Sequence, residues 1–191
     1  MKRCYIKILV FIILLAFSSC HFNIDIAKKG KLYFDDSTNK LIQKGSDAYL
    51  NGNYKLADSL LTIVIKNSSD KISITMPEEA NPYFYRGTNN IELGRYSQAL
   101  TDMEHVASDT TTNSHVLLVR CEALQMLKKY DSCIVICNRL ISLKCDSVIL
   151  ISRGVCYFFK GQMDKACSDL MYCERRGLDT AYLKPFIKDC K

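Results

Sequence analysis

The chain has 191 residues, ten cysteines and a formal net charge of +6. This length suits one domain with a continuous hydrophobic core, so a second domain is not expected. Lys2, Arg3 and Lys7 are the charged residues of the first 19 positions, and their removal lowers the charge from +6 to +3. An excess of that size is too small to indicate nucleic-acid binding.

The amino terminus has the pattern of a secretory signal peptide. A basic start at residues 2–7 precedes an apolar run at residues 8–17, and small residues follow at positions 18 and 19. The apolar run is short of the roughly 20 residues that a transmembrane helix needs. We therefore expect a signal peptide at residues 1–19, with a transmembrane anchor as the alternative.

The residues around Cys20 resemble the lipobox of bacterial lipoproteins, in which the cysteine is acylated and the chain is cleaved before it. Ser18, Ser19 and Cys20 match this pattern, whereas Phe17 stands where Leu is usual. The resemblance implies lipidation of Cys20 and a tether at residues 20–37 that holds the protein at a membrane. Plain secretion with an unmodified Cys20 is the alternative. The segment after Cys20 lacks a dense acidic run that would resemble the surface-export signals of some Gram-negative lipoproteins. The lipoprotein resemblance therefore implies an outer-membrane protein that faces the periplasm.

A frame of glycine, tyrosine and a small residue recurs along the chain, with Lys128 and Met163 as its two substitutions. It reads Gly52-Asn-Tyr54-Lys-Leu-Ala57, Gly94-Arg-Tyr96-Ser-Gln-Ala99, Lys128-Lys-Tyr130-Asp-Ser-Cys133 and Gly161-Gln-Met163-Asp-Lys-Ala166. The last members are 42, 34 and 33 positions apart. Glycine ends a helix by tolerating positive φ, and a small residue lets two helices pack closely. Each frame therefore marks the middle of a helix hairpin.

The frame also predicts the helices on either side of it, and all of them are apolar at helical spacing. The first helices of the hairpins are expected near residues 39–51, 81–93, 115–127 and 148–160. The second helices are expected near residues 54–66, 96–108, 130–142 and 163–175.

With two helices in a period near 34 residues, the array resembles tetratricopeptide repeat (TPR) proteins. In the first repeat the matching residues are Leu41, Gly45, Ala57 and Leu61, and similar residues recur in the others. The resemblance covers residues 38–180, as repeats at about 38–71, 80–113, 114–147 and 147–180. It implies an all-α, right-handed solenoid of about four helix hairpins. No Trp opens a repeat and no Pro closes one, and a related helical-hairpin repeat is the alternative.

Two repeats carry an Arg-Gly pair followed by an aspartate, which resembles the Arg-Gly variety of prokaryotic TPRs. Arg86 precedes Asp102 by 16 residues, and Arg153 precedes Asp169 by the same distance. A bidentate pair between the two helices would fix the hairpin. A row of cations that binds a ligand is the alternative. The third repeat keeps Arg120 but has no aspartate in the corresponding place.

An insertion at residues 67–82 interrupts the repeat spacing. Pro77 and Pro82 disfavour helix for the residues before them, so we expect a long loop. Such loops often carry function, and this one is either a contact for a partner or an inert insertion.

Eight of the ten cysteines lie after residue 120, where several occupy small or apolar repeat positions. Buried thiols behave as small hydrophobic groups. Cys167, in the Ala-Cys-x-Asp run of residues 166–169, together with a cysteine near the chain end, resembles the terminal repeat of many bacterial TPR lipoproteins. On that resemblance a Cys167–Cys190 disulfide would clamp a capping helix at residues 181–191 onto the last repeat. Reduced thiols in the core are the alternative.

The sequence lacks the motifs of catalysis and of metal binding. No CxxC, HExxH or glycine-rich phosphate loop is present, and the chain has three histidines. We therefore predict no enzyme activity, no metal site and no cofactor. A thiol-based redox protein would require a cysteine of low pKa.

The TPR resemblance implies a binding groove, because TPR arrays bind partners along the face lined by their first helices. The residues predicted to line the groove are Ile42, Tyr49, Phe84, Ile91, Leu118, Gln125, Ile151 and Phe158, and Ser46, Thr88, Glu122 and Val155 map to the same face. The row is largely apolar, which suits an amphipathic helix or a hydrophobic peptide rather than an acidic tail. Burial of these residues by neighbouring repeats is the alternative.

These features predict a membrane-anchored, non-enzymatic scaffold that binds a protein or peptide partner through its groove. The alternative is a fixed structural subunit of an outer-membrane assembly. Such a subunit would be bound through the convex face and the loop at residues 67–82.

Overall fold

The computed structural model describes residues 33–108, 111–143, 148–177, 184–188 and 190. The predicted signal peptide (1–19), the lipidation residue Cys20 and most of the tether (20–37) lie outside the described residues. The same holds for residues 181–183, 189 and 191 of the predicted capping helix.

The described chain is helical, and it contains no β-strand. The helices are α1 (Asp36–Leu50), α2 (Tyr54–Ser68), α3 (Pro82–Glu92), α4 (Tyr96–Val106), α5 (Ser114–Met126), α6 (Tyr130–Ser142), α7 (Val148–Phe159), α8 (Met163–Arg175) and the short α9 (Lys184–Ile187). The predicted bounds of α1 to α8 agree with these to within three residues. None of the helices described is both long and apolar enough to cross a membrane.

The described residues form two compact units, 33–136 and 137–190, with the boundary inside α6. The 33–136 unit holds α1 to α5 and the first half of α6. The 137–190 unit holds the second half of α6 with α7, α8 and α9.

Each hairpin turn has a left-handed residue where the frame places its glycine. Gly52, Gly94 and Gly161 have φ values of 73°, 70° and 73°. In the first turn, the Gly52 N–H donates to Tyr49 O at 2.9 Å and the next N–H donates to Ala48 O at 2.8 Å. This pair of bonds is a Schellman motif, which satisfies carbonyls at the end of a helix. The third turn makes the equivalent bonds with Lys128, at φ 59°.

The core of the 33–136 unit includes residues from the insertion as well as from the repeats. Met76 and Ala80 are buried and pack in one cluster with Phe34, Ile42 and Phe84. A 3₁₀ helix, Glu78–Ala80, leads into α3. The insertion at residues 67–82 is therefore partly a structural element of this core, and not a loop that is exposed throughout.

The 137–190 unit contains a core between α7, α8 and α9. Ile151, Val155, Leu170, Cys173 and Phe186 form its buried cluster. A disulfide joins Cys167 of α8 to Cys190, which lies just after α9. Because the two cysteines are 23 residues apart, closing this loop stabilises the folded state by about 3 kcal/mol.

Candidate protein-binding surface

The residues predicted to line the groove differ widely in exposure. Tyr49, Leu118 and Phe158 are partly exposed. The other five are buried, namely Ile42, Phe84, Ile91, Gln125 and Ile151. Ile42 and Phe84 belong to the buried core of the 33–136 unit, together with Met76 and Ala80 of the insertion. Ile151 belongs to the buried core of the 137–190 unit, together with Phe186. Most of the predicted apolar groove is therefore core, and the surface open to a partner is smaller than the sequence indicated.

In each repeat, the residue after the last groove position is more exposed than that position. Leu50, Glu92, Met126 and Phe159 follow Tyr49, Ile91, Gln125 and Phe158, and each is more exposed than the residue before it. Leu50 is 70% exposed. Since these residues stand two positions before the turn glycine or Lys128, the repeat frame could have identified them.

One side chain from each of five consecutive helices contributes to an acidic–tyrosine cluster in the 33–136 unit. Its members are Tyr49 of α1, Tyr54 of α2, Glu92 of α3, Tyr96 of α4 and Glu122 of α5. The Tyr49 and Tyr54 rings are 6.0 Å apart. Glu92 interacts electrostatically with the three tyrosines and with Glu122. Of this cluster, Tyr49 was predicted to line the groove and Glu122 was mapped to the same face, whereas Glu92 was not identified.

Burial dominates the electrostatics of the acidic–tyrosine cluster. Burial, with a smaller contribution from the negative charge of Glu92, raises the pKa of Glu122 to about 8. Burial also raises the pKa of Glu92. The pKa of Tyr49 is raised by burial and then by the charge of Glu92, so this phenol stays neutral. Two carboxyl groups are thus held where their ionised forms are poorly solvated.

Two buried polar atoms beside this cluster have no hydrogen-bond partner among the described residues. They are Oε1 of Glu122 and Nε2 of Gln125. Gln125 lies one turn after Glu122 on α5 and is 8% exposed. Buried polar groups are normally satisfied, so these two atoms on one helix face need a hydrogen-bond partner from outside the described residues.

The two Arg–Asp pairs have the geometry of structural links rather than of a ligand site. Arg86 Nη2 and Nε donate to Asp102 at 2.6 and 3.1 Å. Arg153 Nη2 and Nε each donate to Asp169 at 2.7 Å. The aspartates are buried, and the bidentate pairs join α3 to α4 and α7 to α8. Both guanidinium groups are therefore engaged within the fold.

The third repeat uses its arginine in a way that the sequence did not indicate. Arg120 donates to the carbonyl oxygens of Met103 (3.0 Å), Ala107 (2.6 Å) and Ser108 (3.2 Å) at and just after the end of α4. A cation at the carboxyl end of a helix satisfies its last carbonyls and its dipole. Main-chain acceptors carry no sequence signal, so this contact was not predictable.

The described thiols outside the disulfide are buried, namely Cys121, Cys133, Cys137, Cys156 and Cys173. The Sγ atoms of Cys121 and Cys133 are 3.1 Å apart between α5 and α6. Burial raises the pKa of Cys173 to about 11, which keeps it a thiol at neutral pH. These cysteines have the environment of core residues, whereas a redox cysteine needs access and thiolate character.

Comparisons with known proteins identify the fold. No family model matches the sequence, and no curated protein matches it. The structure of MamA MSR-1 C2 matches with a TM-score of 0.59 and 18% identity, over 72% of this chain and 75% of that chain. MamA AMB-1 C2221 matches with a TM-score of 0.58 and 17% identity, over 81% of this chain and 96% of that chain.

A thermophilic TPR protein of Thermus thermophilus also matches. Its TM-score is 0.53 at 18% identity, over 70% of this chain and 71% of that chain. Likeness at such low identity concerns the fold, because one fold serves many functions. The chain has an all-α fold of the TPR-like solenoid class.

Proposed function

We propose that this protein is a lipid-anchored, non-enzymatic scaffold that binds a protein partner on the exposed face of its first helices. The observation that carries the proposal is the combination of exposed Leu50 with the unsatisfied polar atoms of Glu122 and Gln125 in the 33–136 unit. Buried polar groups without a partner are rare in folded proteins, and a bound partner is one way to satisfy them. The TPR-like fold agrees with a role in protein binding.

The lipid anchor is the part of the proposal that rests on the amino-terminal sequence. Acylation of Cys20 would place the scaffold at the outer membrane, facing the periplasm. Mass spectrometry of the protein from cells tests this, with an acylated cysteine expected as the first residue. A Cys20→Ser variant should leave the membrane fraction; an unmodified chain that begins elsewhere would contradict the anchor.

Site-specific photo-crosslinking in cells tests the binding surface. A photo-reactive amino acid at position 50 lies on the proposed first-helix face, whereas one at position 63 lies on α2. Both native side chains, Leu50 and Ile63, are exposed, so neither replacement disturbs the core. We expect a crosslinked partner from position 50 and none from position 63. Phe84 is unsuitable for this experiment, because it is a core residue.

A structural subunit bound through the second helices is the second candidate function. Exposed apolar residues favour it: Leu56 and Ile63 on α2 and Val135 on α6 are 46%, 46% and 68% exposed. Crosslinks from position 63 without any from position 50 would support this alternative. Deleting the insertion is not a clean test, because Met76 and Ala80 belong to the core. Ile74→Ser is better, since Ile74 is half exposed.

A further inference from the structure

The acidic–tyrosine cluster differs from the ion-paired aspartates of the repeats in having no cation beside it. Asp58, Asp102 and Asp169 are paired with Arg95, Arg86 and Arg153. Glu92 and Glu122 form no ion pair within the described part of the chain. These two partly buried carboxyl groups therefore interact with each other's charge without the compensation that the paired aspartates have.

A bound cation would remove this electrostatic penalty. An ammonium or guanidinium group near both carboxyl groups favours their ionised forms, and so opposes the burial that raises the pKa of Glu122. It would also supply the donor that Oε1 of Glu122 lacks. The rings of Tyr49, Tyr54 and Tyr96 add aromatic surface, which attracts cations.

The unpaired amide nitrogen of Gln125 favours a peptide over a small cation as the ligand. Nε2 of Gln125 needs a hydrogen-bond acceptor, which a metal ion or a simple amine does not supply. The main chain of a bound peptide presents carbonyl oxygens beside its side chains. Exposed Leu50 offers apolar contact at the end of α1, the helix that carries Tyr49. A basic side chain on a polypeptide meets all three requirements.

We propose that the acidic–tyrosine cluster binds a lysine or arginine side chain of the partner protein, between Glu92 and Glu122. A main-chain carbonyl next to that basic residue accepts a hydrogen bond from Gln125. This inference rests on the proposed function and adds to it the chemistry of the partner: a basic residue at a fixed position in an otherwise apolar segment.

Selection from a random library of twelve-residue displayed peptides tests the inference on the full-length protein, purified in detergent. Selected peptides should share a lysine or arginine at one position. The E92Q/E122Q variant should bind those peptides about tenfold or more weakly, since a desolvated charge pair loses one partner. The matched control is E104Q/E174Q, which removes two exposed carboxylates and should bind them as the wild type does. Circular dichroism verifies that both variants are folded.

The outcomes separate the inference from the proposed function. Selected peptides without a shared basic residue, or equal binding by E92Q/E122Q and the wild type, would overturn the basic-residue inference and leave the binding surface intact. Failure to select any peptide, together with crosslinks confined to position 63, would overturn the proposed surface itself. Replacing the shared basic residue of a selected peptide by norleucine gives an independent readout, with the same weakening of about tenfold expected.

Discussion

The second and third hairpins follow the same frame but differ where their helices meet. In the second hairpin, Gly87 of α3 lies against Met103 and Asp102 of α4, and a Cβ at position 87 would come 2.3 Å from Met103 Cε. In the third hairpin, Cys121 stands in the place of Gly87 and Cys133 in the place of Ala99. The Sγ atoms of these two cysteines are 3.1 Å apart. The frame thus requires small side chains at the crossing, and it does not specify which ones.

The arginines of these two hairpins show a second difference. Arg86 bonds within its own hairpin, to Asp102 on α4. Arg120 reaches back to the end of α4, in the preceding hairpin, because the third hairpin has no aspartate in the equivalent place. The same residue in the same repeat position therefore links helices within a repeat in one case and between repeats in the other.

The largest effect is expected from breaking the link within the second hairpin. Arg86→Ala leaves the carboxylate of Asp102, which is 3% exposed, with Asn90 as its remaining side-chain donor. An uncompensated buried charge is strongly destabilising, so the free energy of unfolding should fall by about 3 kcal/mol. Urea unfolding followed by circular dichroism measures the change.

Arg95→Ala is the matched control for this loss. The Arg95–Asp58 pair has the same 2.6 Å distance but joins the second hairpin to the first, and its side chains are 43% and 25% exposed. Exposed ion pairs contribute about 0 to 1 kcal/mol. Similar losses for Arg86→Ala and Arg95→Ala would mean that burial does not distinguish the two pairs.

A smaller loss is expected from the link between repeats. Arg120→Met keeps the apolar stem of the side chain but removes the donors to three carbonyl oxygens. Hydrogen bonds to a charged group contribute about 1.5 to 3 kcal/mol, so we expect a loss of about 2 kcal/mol. Hydrogen exchange should also speed up in the last turn of α4. Unchanged exchange there would contradict the capping role of Arg120.

The sequence predicted features that depend on local spacing and missed those that depend on stacking. Turn glycines and small residues placed the helices, and the 16-residue Arg–Asp spacing identified the pairs within hairpins. Glu92 and Glu122 lie 30 positions apart and approach each other because repeats stack. Ile42 and Phe84 share one buried cluster with Met76 and Ala80 of the insertion, whose path has no periodic signal.

Glu122 gives its position in the third hairpin a pH dependence that the equivalent position of the second hairpin lacks. The equivalent residue of the second hairpin is Thr88, whose hydroxyl donates to Phe84 O at 2.9 Å. The pKa of Glu122 rises from 4.5 to about 8 on folding. Between these two pH values the folded protein therefore keeps a proton on Glu122 that the unfolded chain has lost. The stabilising contribution of this proton is present below pH 4.5 and is lost as the pH rises to 8.

Glu122→Gln should remove this dependence, because an amide does not ionise. We expect equal unfolding free energies for variant and wild type near pH 4, and a variant that is about 1 to 2 kcal/mol more stable near pH 9. Glu122 is partly exposed, so the difference in unfolding free energy between variant and wild type is smaller than the pKa change alone would give. Urea unfolding across this pH range measures it. Parallel pH profiles would show that Glu122 ionises normally.

The smallest effect concerns the turns, where the third hairpin has Lys128 at φ 59° and the second has Gly94 at φ 70°. A left-handed conformation costs a residue with a Cβ about 1 to 2 kcal/mol, which the greater freedom of glycine in the unfolded chain partly offsets. Lys128→Gly should therefore stabilise the protein by about 0.5 to 1 kcal/mol, and Gly94→Ala should destabilise it by a similar amount. Both changes are measured by urea unfolding. If Lys128→Gly were destabilising, the Lys128 side chain would contribute more to stability than its backbone conformation costs, and the two turns would differ in more than backbone strain.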